Sequence, residues 1–424
     1  MNETETTQAA PTAASSFFDR PQVQVEQIPV GPGVPLGIER VSNPEVGIGG
    51  AYGTWGKCYD NATLPDLIEE RLSRPLQAEE RLHLSELGFA CRHHLPTLTS
   101  QEDVELEAQV GARLLTDAAH ASGWDPSEVE AVLIGMTGPA TADYTERIAR
   151  MAGIPESALK VSVHKACDGS VGALNLALNP ELPVQQHLPL NVAKAVHGKK
   201  VLVGGIEGLS RYMRCTRDIQ ALQLFGNGAG VIGVIPGKTI KFLVGGTHEV
   251  YDEEGLLQVR MYYPHSRTRV KGQSAIEVSQ VGENHFRVAG LQHEPEDESV
   301  AVVMAGLMGM VKLFVRSGVV AVRDVYQSYQ KRMAELGLPG KQIAVAIVHH
   351  ANLKINQLIE KHLQKEGICF PMPWLLSEFG NVSAASNMIA FLRKLASLKP
   401  GDHVLFDGFG AGTYYDVLAV EMGG

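Results

Sequence analysis

The chain has 424 residues, 44% hydrophobic and 20% charged, with 37 Lys+Arg against 47 Asp+Glu for a net charge of −10. A length of this order predicts two or three domains, or one large duplicated one, whose core needs no disulfide or metal. The acidic balance argues against a nucleic-acid binder, and the five scattered cysteines, without a CxxC pair, suggest neither a disulfide framework nor a structural zinc site.

Residues 1–24 are rich in Thr, Ala, Gln and Ser, with Phe17 and Phe18 as an aromatic pair. They are expected to form a disordered or loosely docked tail, and they lack the basic start and apolar middle of a signal peptide. Apolar residues at three- and four-residue spacing predict a first helix at about 103–121. Strand-like Val132–Gly135 follows, then helices at about 143–153 and 170–178. Short β-branched runs at Val201–Gly204 and Val231–Val234 read as buried strands. The region 236–300, with alternation at Lys241–Val244 and Leu257–Met261, reads as hairpins and a loop. A helix is expected over 304–336, a strand over Ile343–Val348, helices over 353–366 and 384–397, and a strand at His403–Phe406. The apolar run Val300–Val311 is shorter than the ~20 residues that span a bilayer, so no membrane span is expected. Reduced cysteines point to the cytoplasm. Alternating strands and helices favour α/β layers.

The two halves correspond. After Val132–Gly135, and again after Ile343–Val348, the pattern runs polar loop, helix, short strand, then a tight turn into a helix rich in small residues. Cys167 stands at the first such turn. His349 stands at one loop of the second half and Asn381 at its turn, as in a duplicated fold whose halves meet at one site.

Cys167 follows Val161-Ser-Val163 and precedes a helix beginning near Ser170. The free N–H groups and positive end of that helix favour a thiolate nucleophile, although an isolated cysteine is as often an inert core residue. His349-His350-Ala351-Asn352 ends a strand and begins a helix, which suits a general base or an oxyanion donor as well as a capping histidine. One ion cannot easily use both histidines, because neighbouring side chains on a strand point to opposite faces. Asn381, in Gly380-Asn-Val-Ser-Ala-Ala-Ser386, fits an N-cap when taken alone. Gly408-Phe-Gly-Ala-Gly412 fits a strand bend as well as an anion cradle. Gly226-Asn-Gly-Ala-Gly230 leads into a strand and so is not a dinucleotide fingerprint.

Taken in order, Lys165-Ala-Cys-Asp-Gly169, the Gly226–Gly230 segment, His349–Asn352, Gly380–Ser386 and Gly408–Gly412 resemble the β-ketoacyl-acyl-carrier-protein synthase III family of thiolase-like condensing enzymes, from about residue 44 to 424. The resemblance implies an α/β fold of five layers (αβαβα), with two mixed sheets around buried helices. It divides the chain into the tail 1–24, a half 25–235 carrying the cysteine, and a half 236–424 carrying the histidine and asparagine. It implies Cys167, His349 and Asn381 as catalytic residues and the backbone N–H groups of Cys167 and Ala411 as an oxyanion hole. Arg217, Lys354 and Asn352 become candidates for contacts with the substrate or its carrier. The reaction implied is decarboxylative Claisen condensation of an acyl thioester with a malonyl-type thioester, in fatty-acid or polyketide and specialised lipid synthesis. Acyl-CoA or acyl-carrier protein would be the partner, CoA or phosphopantetheine the thioester handle, and no metal or other cofactor is implied. Acyl transfer to an oxygen or nitrogen nucleophile, non-decarboxylative condensation with Asp168 as a base, and a degenerate partner subunit are the alternatives.

Some positions depart from the family. Leu67 stands where a tryptophan stacks on CoA adenine, and an expected arginine is displaced to Arg217. Lys165 and Asp168 replace small residues, the first expected to lower the Cys167 pKa and the second to raise it. The loop 179–191 holds three prolines and is expected to reshape the acyl tunnel or the dimer edge. The resemblance also implies a homodimer with central strands joined and the segment Met136–Tyr144 reaching towards the neighbour.

Overall fold

The computed structural model describes residues 16–95, 98–250, 274–290, 309, 311–411 and 414–423. The expected helical stretch 304–308, the alternation at Leu257–Met261, residues 1–15 of the tail, and Gly412 lie outside the described residues.

The chain opens with antiparallel strands β1 (Gln24–Ile28), β2 (Val34–Asn43) and β3 (Ile48–Trp55). A short ribbon of β4 (Lys57–Asp60) and β5 (Cys91–His94) brackets helices α1 (Leu64–Leu72) and α2 (Ala78–Glu86). Next come α3 (Ser100–Ala121), β6 (Ala131–Met136), α4 (Tyr144–Met151), β7 (Leu159–His164) and α5 (Gly169–Leu178). After α6 (Val192–Val196), β8 (Val201–Glu207), α7 (Ser210–Cys215) and α8 (Ile219–Leu224), β9 (Gly228–Val234) closes the first half. The second half supplies β10 (Ile240–Glu249), β11 (Glu277–Gly282), β12 (His285–Ala289) and α9 (Ser317–Glu335). It ends with β13 (Ile343–Val348), α10 (Leu353–Lys365), α11 (Ser386–Leu395), β14 (His403–Gly410) and β15 (Tyr414–Met422).

Among the described residues these strands form two large sheets. One runs β1-β2-β3-β9-β8-β6-β7-β12-β11 and the other β10-β15-β14-β13. Helices α5 and α11 lie between them, α3 covers the outside of the first sheet, and α9 covers the outside of the second. The expected five layers are therefore present. Strands β6, β8, β9 and β14 are buried along their whole length, which is why they read as near-continuous apolar and glycine runs without alternation. α5 is buried at every position and needs small residues to fit. A Cβ on Gly135 would stand 2.1 Å from the Gly169 carbonyl carbon, so helix and strand touch through backbone. The outer helix α3 instead starts at a capping box, in which the Thr99 hydroxyl accepts from the Glu102 N–H and the Glu102 carboxylate accepts from the Thr99 N–H.

Four expectations change. The tail docks sooner than residue 24: Phe17 is fully buried, 4.9 Å from the Phe379 ring, and Phe18 packs beside it. Among the described residues the second half has no counterpart to β7. Pro371 and Pro373 lack the N–H a central strand must donate, so the segment runs beside β13 with an Ala346 N–H to Pro371 carbonyl bond of 2.8 Å. The division at residue 235 is not a clean one, because hairpin β11–β12 crosses back to join the first sheet. Strand β7 is not an edge: β12 pairs with it in parallel from Lys160 to His164. Within the segment Met136–Tyr144, residues 136–140 are buried, with Gly138 accepting from Arg211 and Tyr212, whereas Ala142 and Asp143 are exposed.

Candidate active site

Cys167 lies in a single 3-10 turn, Ala166–Asp168, at the mouth of α5. The turn is entered through Ala166 at φ 48°, a left-handed conformation that an L-residue with a Cβ adopts at a cost of ~1–2 kcal/mol. The second half repeats this device. A turn at Ser383–Ala385 leads into α11 and is entered through Ser383 at φ 44°. The two turns pack on each other, and a Cβ on Gly169 would sit 3.1 Å from the Ala384 methyl carbon.

Strand β14 joins the remaining parts. At Asp407 its carbonyl accepts from the His349 N–H at 2.9 Å. Three residues on, a Cβ on Gly410 would lie 2.9 Å from the Cys167 nitrogen and 2.8 Å from that of Asp168. Only glycine lets the strand come this close, and the approach sets Ala411 at the end of β14 beside the nucleophile turn. The His349 ring stands edge-on to Phe409, with centroids 5.0 Å apart. Its Nδ1 is buried with no protein partner. Burial, helped by His350, pulls its pKa down to about 3, so the ring is neutral at physiological pH.

His350 has a different job. Its Nδ1–H donates to the Val348 carbonyl at 2.9 Å and its Nε2 accepts from the Leu375 N–H at 2.9 Å. The adjacent histidines thus point apart, as alternation requires, and neither belongs to a group of metal-ligating side chains among the described residues.

Asn381 bridges the two loops of the second half. Its Oδ1 accepts from the Ser383 N–H at 2.9 Å, which makes it a cap of the turn. That bond orients Nδ2, which donates to the Ala351 carbonyl at 3.2 Å and has a second N–H to give.

Glu207 braces this assembly and was not singled out from sequence. One of its oxygens accepts from the Thr137 N–H at 2.8 Å, the Thr137 hydroxyl at 2.9 Å and the Ala384 N–H at 3.2 Å. Thr137 and Ser383 hydroxyls meet at 2.9 Å. Burial raises the Glu207 pKa to about 8. Asp407 is raised to about 8 by burial alone, and neither of its carboxyl oxygens has a protein partner.

Lys165 and Asp168 do not act as a simple charge pair around the thiol. Lys165 is buried, 2.6 Å from Asp168 and ion-paired with Asp416. Asn175 Nδ2 donates to Asp416 at 2.6 Å, and the Asp416 N–H donates to Asp168 at 3.1 Å. Burial and the nearby Asp416 carboxylate push the Asp168 pKa well up, whereas Asp416 stays ionised against Lys165. Burial would lower Lys165, but the two carboxylates outweigh it and raise its pKa. The lysine's charge is thus balanced within this network. The loop 179–191 reaches the same region: Leu182, Pro183, Val184 and His187 line a cavity of about 350 Å³ together with Lys165 and Asp416.

The other candidates are more dispersed. Asn352 caps α10, its Oδ1 accepting from the Ile355 N–H at 3.0 Å. Lys354 is exposed and ion-paired with Glu86. Arg217 is exposed between α7 and α8, while its neighbours Arg211 and Arg214 are ion-paired with Glu107 and Asp103. Leu67 is buried in α1 and offers no stacking face.

The family model for 3-oxoacyl-[acyl-carrier-protein] synthase III, C terminal, matches residues 333–422. The chain is 26% identical over 374 residues to β-ketoacyl-[acyl-carrier-protein] synthase III 2 of Vibrio cholerae serotype O1, covering 87% of each. It is 26% identical over 326 residues to the synthase III of Clostridium tetani, covering 75% of this chain and 84% of that one. Among solved structures, 3-oxoacyl-[acyl-carrier-protein] synthase III from Aquifex aeolicus VF5 superposes with a TM-score of 0.58 at 18% identity, over 94% of this chain and 100% of that one. The 1,3,6,8-tetrahydroxynaphthalene synthase of Streptomyces coelicolor A3(2), a type III polyketide synthase, gives 0.57 at 14% identity, over 92% and 98%.

Two sheets enclosing paired turn-and-helix units, with a cysteine on one turn, define a thiolase-fold protein. Within that fold the chain resembles the β-ketoacyl-acyl-carrier-protein synthase III enzymes and is an acyltransferase of the condensing type. No helix among the described residues is long and apolar enough to cross a membrane.

Proposed function

We propose that the chain catalyses a decarboxylative Claisen condensation through Cys167, His349 and Asn381. The Cys167 thiolate attacks the carbonyl carbon of an acyl thioester, the carbon–sulfur bond to the carrier thiol breaks, and the acyl group stays on the enzyme. A malonyl-type thioester then loses carbon dioxide. The electron pair of the broken carbon–carbon bond moves onto the thioester oxygen, and neutral His349 and Asn381 donate hydrogen bonds to that enolate. The enolate carbon attacks the acyl-cysteine, N–H groups at Cys167 and Ala411 hold the tetrahedral oxyanion, and collapse frees the thiolate with a β-keto product.

The observation that carries this reading is Asn381 itself, whose Oδ1 is held by the Ser383 N–H while its Nδ2 gives one of two N–H groups to the Ala351 carbonyl. A histidine held near pKa 3 is a poor general base, which favours enolate stabilisation over acyl transfer to an oxygen or nitrogen nucleophile. Asp168 is fully buried and bound to Lys165, so it does not suit the base of a non-decarboxylative condensation.

The buried Leu67 favours a donor that does not rely on adenine stacking, with Arg217 available to a phosphopantetheine or CoA phosphate. We place the enzyme in the cytoplasm, in keeping with the absence of disulfides at the four described cysteines. A homodimer of this chain would join through the outer edge of β11, since β12 already occupies β7. Light scattering that returns a monomer at micromolar concentration refutes the dimer. For the reaction, intact-protein mass is measured after mixing with acyl-CoA and acyl-carrier donors. An acyl increment absent from Cys167→Ala, and discharged as β-keto product by malonyl thioester, is expected. No increment with any donor refutes the first step.

A further inference from the structure

Away from the nucleophile, the ribbon β4–β5 gathers three metal-ligating side chains. Cys58 is paired directly with His93 across the two strands, and Cys91 lies two residues before His93, so all three project from one face. One ligand atom from each lies within 4.8 Å of the other two. A tetrahedral zinc ion with Zn–S near 2.3 Å needs such atoms roughly 3.5–3.8 Å apart, which is within about 1 Å of this arrangement.

The His93 ring carries the argument further. It is fully buried, neither of its nitrogens has a hydrogen-bond partner, and Phe18 seals its edge at 5.0 Å. A buried imidazole without partners is costly unless something outside the protein answers it. Cys58 is half-buried and gives the cluster a route to solvent.

We propose that Cys58, Cys91 and His93 form a zinc site, with two thiolates and one neutral imidazole and the fourth position open on the Cys58 side. The ligand set is that of a borderline-soft cation rather than of magnesium or calcium. On binding, the two thiols surrender their protons to solvent and the doubly charged ion is neutralised by two thiolates.

The ribbon is tied to the site. The Ala90 N–H donates to the Ser377 carbonyl at 2.6 Å and the Asn227 N–H to the His93 carbonyl at 3.0 Å. The Gly226 N–H in turn donates to the Asn381 carbonyl at 3.1 Å. A metal here would stiffen the chain leading to Asn381 without touching substrate, and its binding does not depend on which reaction the site performs.

The test uses the full chain expressed with added zinc and purified with a non-chelating reductant and no chelator. Elemental analysis and native mass spectrometry are expected to find about one zinc per chain in the wild type and in Cys167→Ala. Loss of that zinc is expected in Cys58→Ser and in His93→Gln, with circular dichroism confirming that both fold. Cobalt-loaded wild type is expected to show thiolate-to-cobalt charge-transfer absorption that weakens in Cys58→Ser. Wild type that retains no metal above the buffer blank overturns the proposal. So does undiminished zinc in folded Cys58→Ser, or a Cys58–Cys91 disulfide standing in place of metal under these reducing conditions.

Discussion

Ala166 and Ser383 hold the same left-handed conformation, at φ 48° and φ 44°, one residue before the matching positions Cys167 and Ala384 in the two halves. The duplicated fold thus strains both turns, but only the first bears a thiol. Ser383 recovers part of its cost through its hydroxyl contact with Thr137, whereas Ala166 has no side-chain polar group to do so. Ala166→Gly is expected to raise stability by up to ~1 kcal/mol and Tm with it, whereas Ser383→Gly gains nothing net. Thermal melts of the two variants check this.

Lys165 sits buried between Asp168 and Asp416, and removing one member of such a group leaves an uncompensated charge. Lys165→Met is expected to cost ~3–5 kcal/mol in urea unfolding. The double variant with Asp416→Asn is expected to recover much of that loss, because the ionised partner goes too. Equal losses in the single and double variants would show that the charges are not coupled.

Glu207 changes the pH dependence of stability in a predictable direction. Its pKa is about 8 when folded against 4.5 as the ordinary value, so between these the folded state holds more protons than the unfolded one. Its contribution is therefore lost as pH rises from about 4.5 to about 8, at up to about 1.4 kcal/mol per pH unit. Glu207→Gln is expected to flatten that limb, read from urea midpoints across this window.

The buried histidines act on the acid side. His349 at about 3, His350 at about 4 and His94 at about 3 are all lowered, chiefly by burial. They are neutral when folded and charge on unfolding below about 6.5, so stability falls as pH drops from 6.5 towards 4. His350→Gln is expected to lessen that fall if it keeps the Leu375 bond, as midpoints measured from pH 7 to pH 4 will show.

His349→Ala and Asn381→Ala are expected to separate the two half-reactions. Each removes an enolate donor, so condensation falls about 10²–10³-fold while acylation of Cys167 persists. Loading is read by intact mass and condensation by product formation. Loss of loading in both variants would place these residues in the first step instead.

Much of this architecture is legible in the sequence because its period is strong. Helix α3 appears as Ser100–Ala121 against an expected 103–121, and β13 spans the expected Ile343–Val348. The turns at Cys167 and Asn381 are readable because both lead into helices of small residues, a pattern that burial on every side imposes. What was missed depends on contacts distant in sequence. Asp416 meets Lys165 across 251 positions, and Glu207 reaches Thr137 from 70 away. Cys58 and Cys91 look scattered because 32 residues separate them, yet one antiparallel ribbon puts them on the same face. The false strand before Asn381 came from the repeat itself, which predicted symmetry where two prolines forbid it.

The parallel pairing of β12 with β7 also decides where the large sheet ends. Among the described residues the rim of the large sheet is moved outward by two strands, from the one that ends at the nucleophile turn to β11, which carries no site residue. A neighbour docked on that rim would meet β11 and not the strand that leads to Cys167.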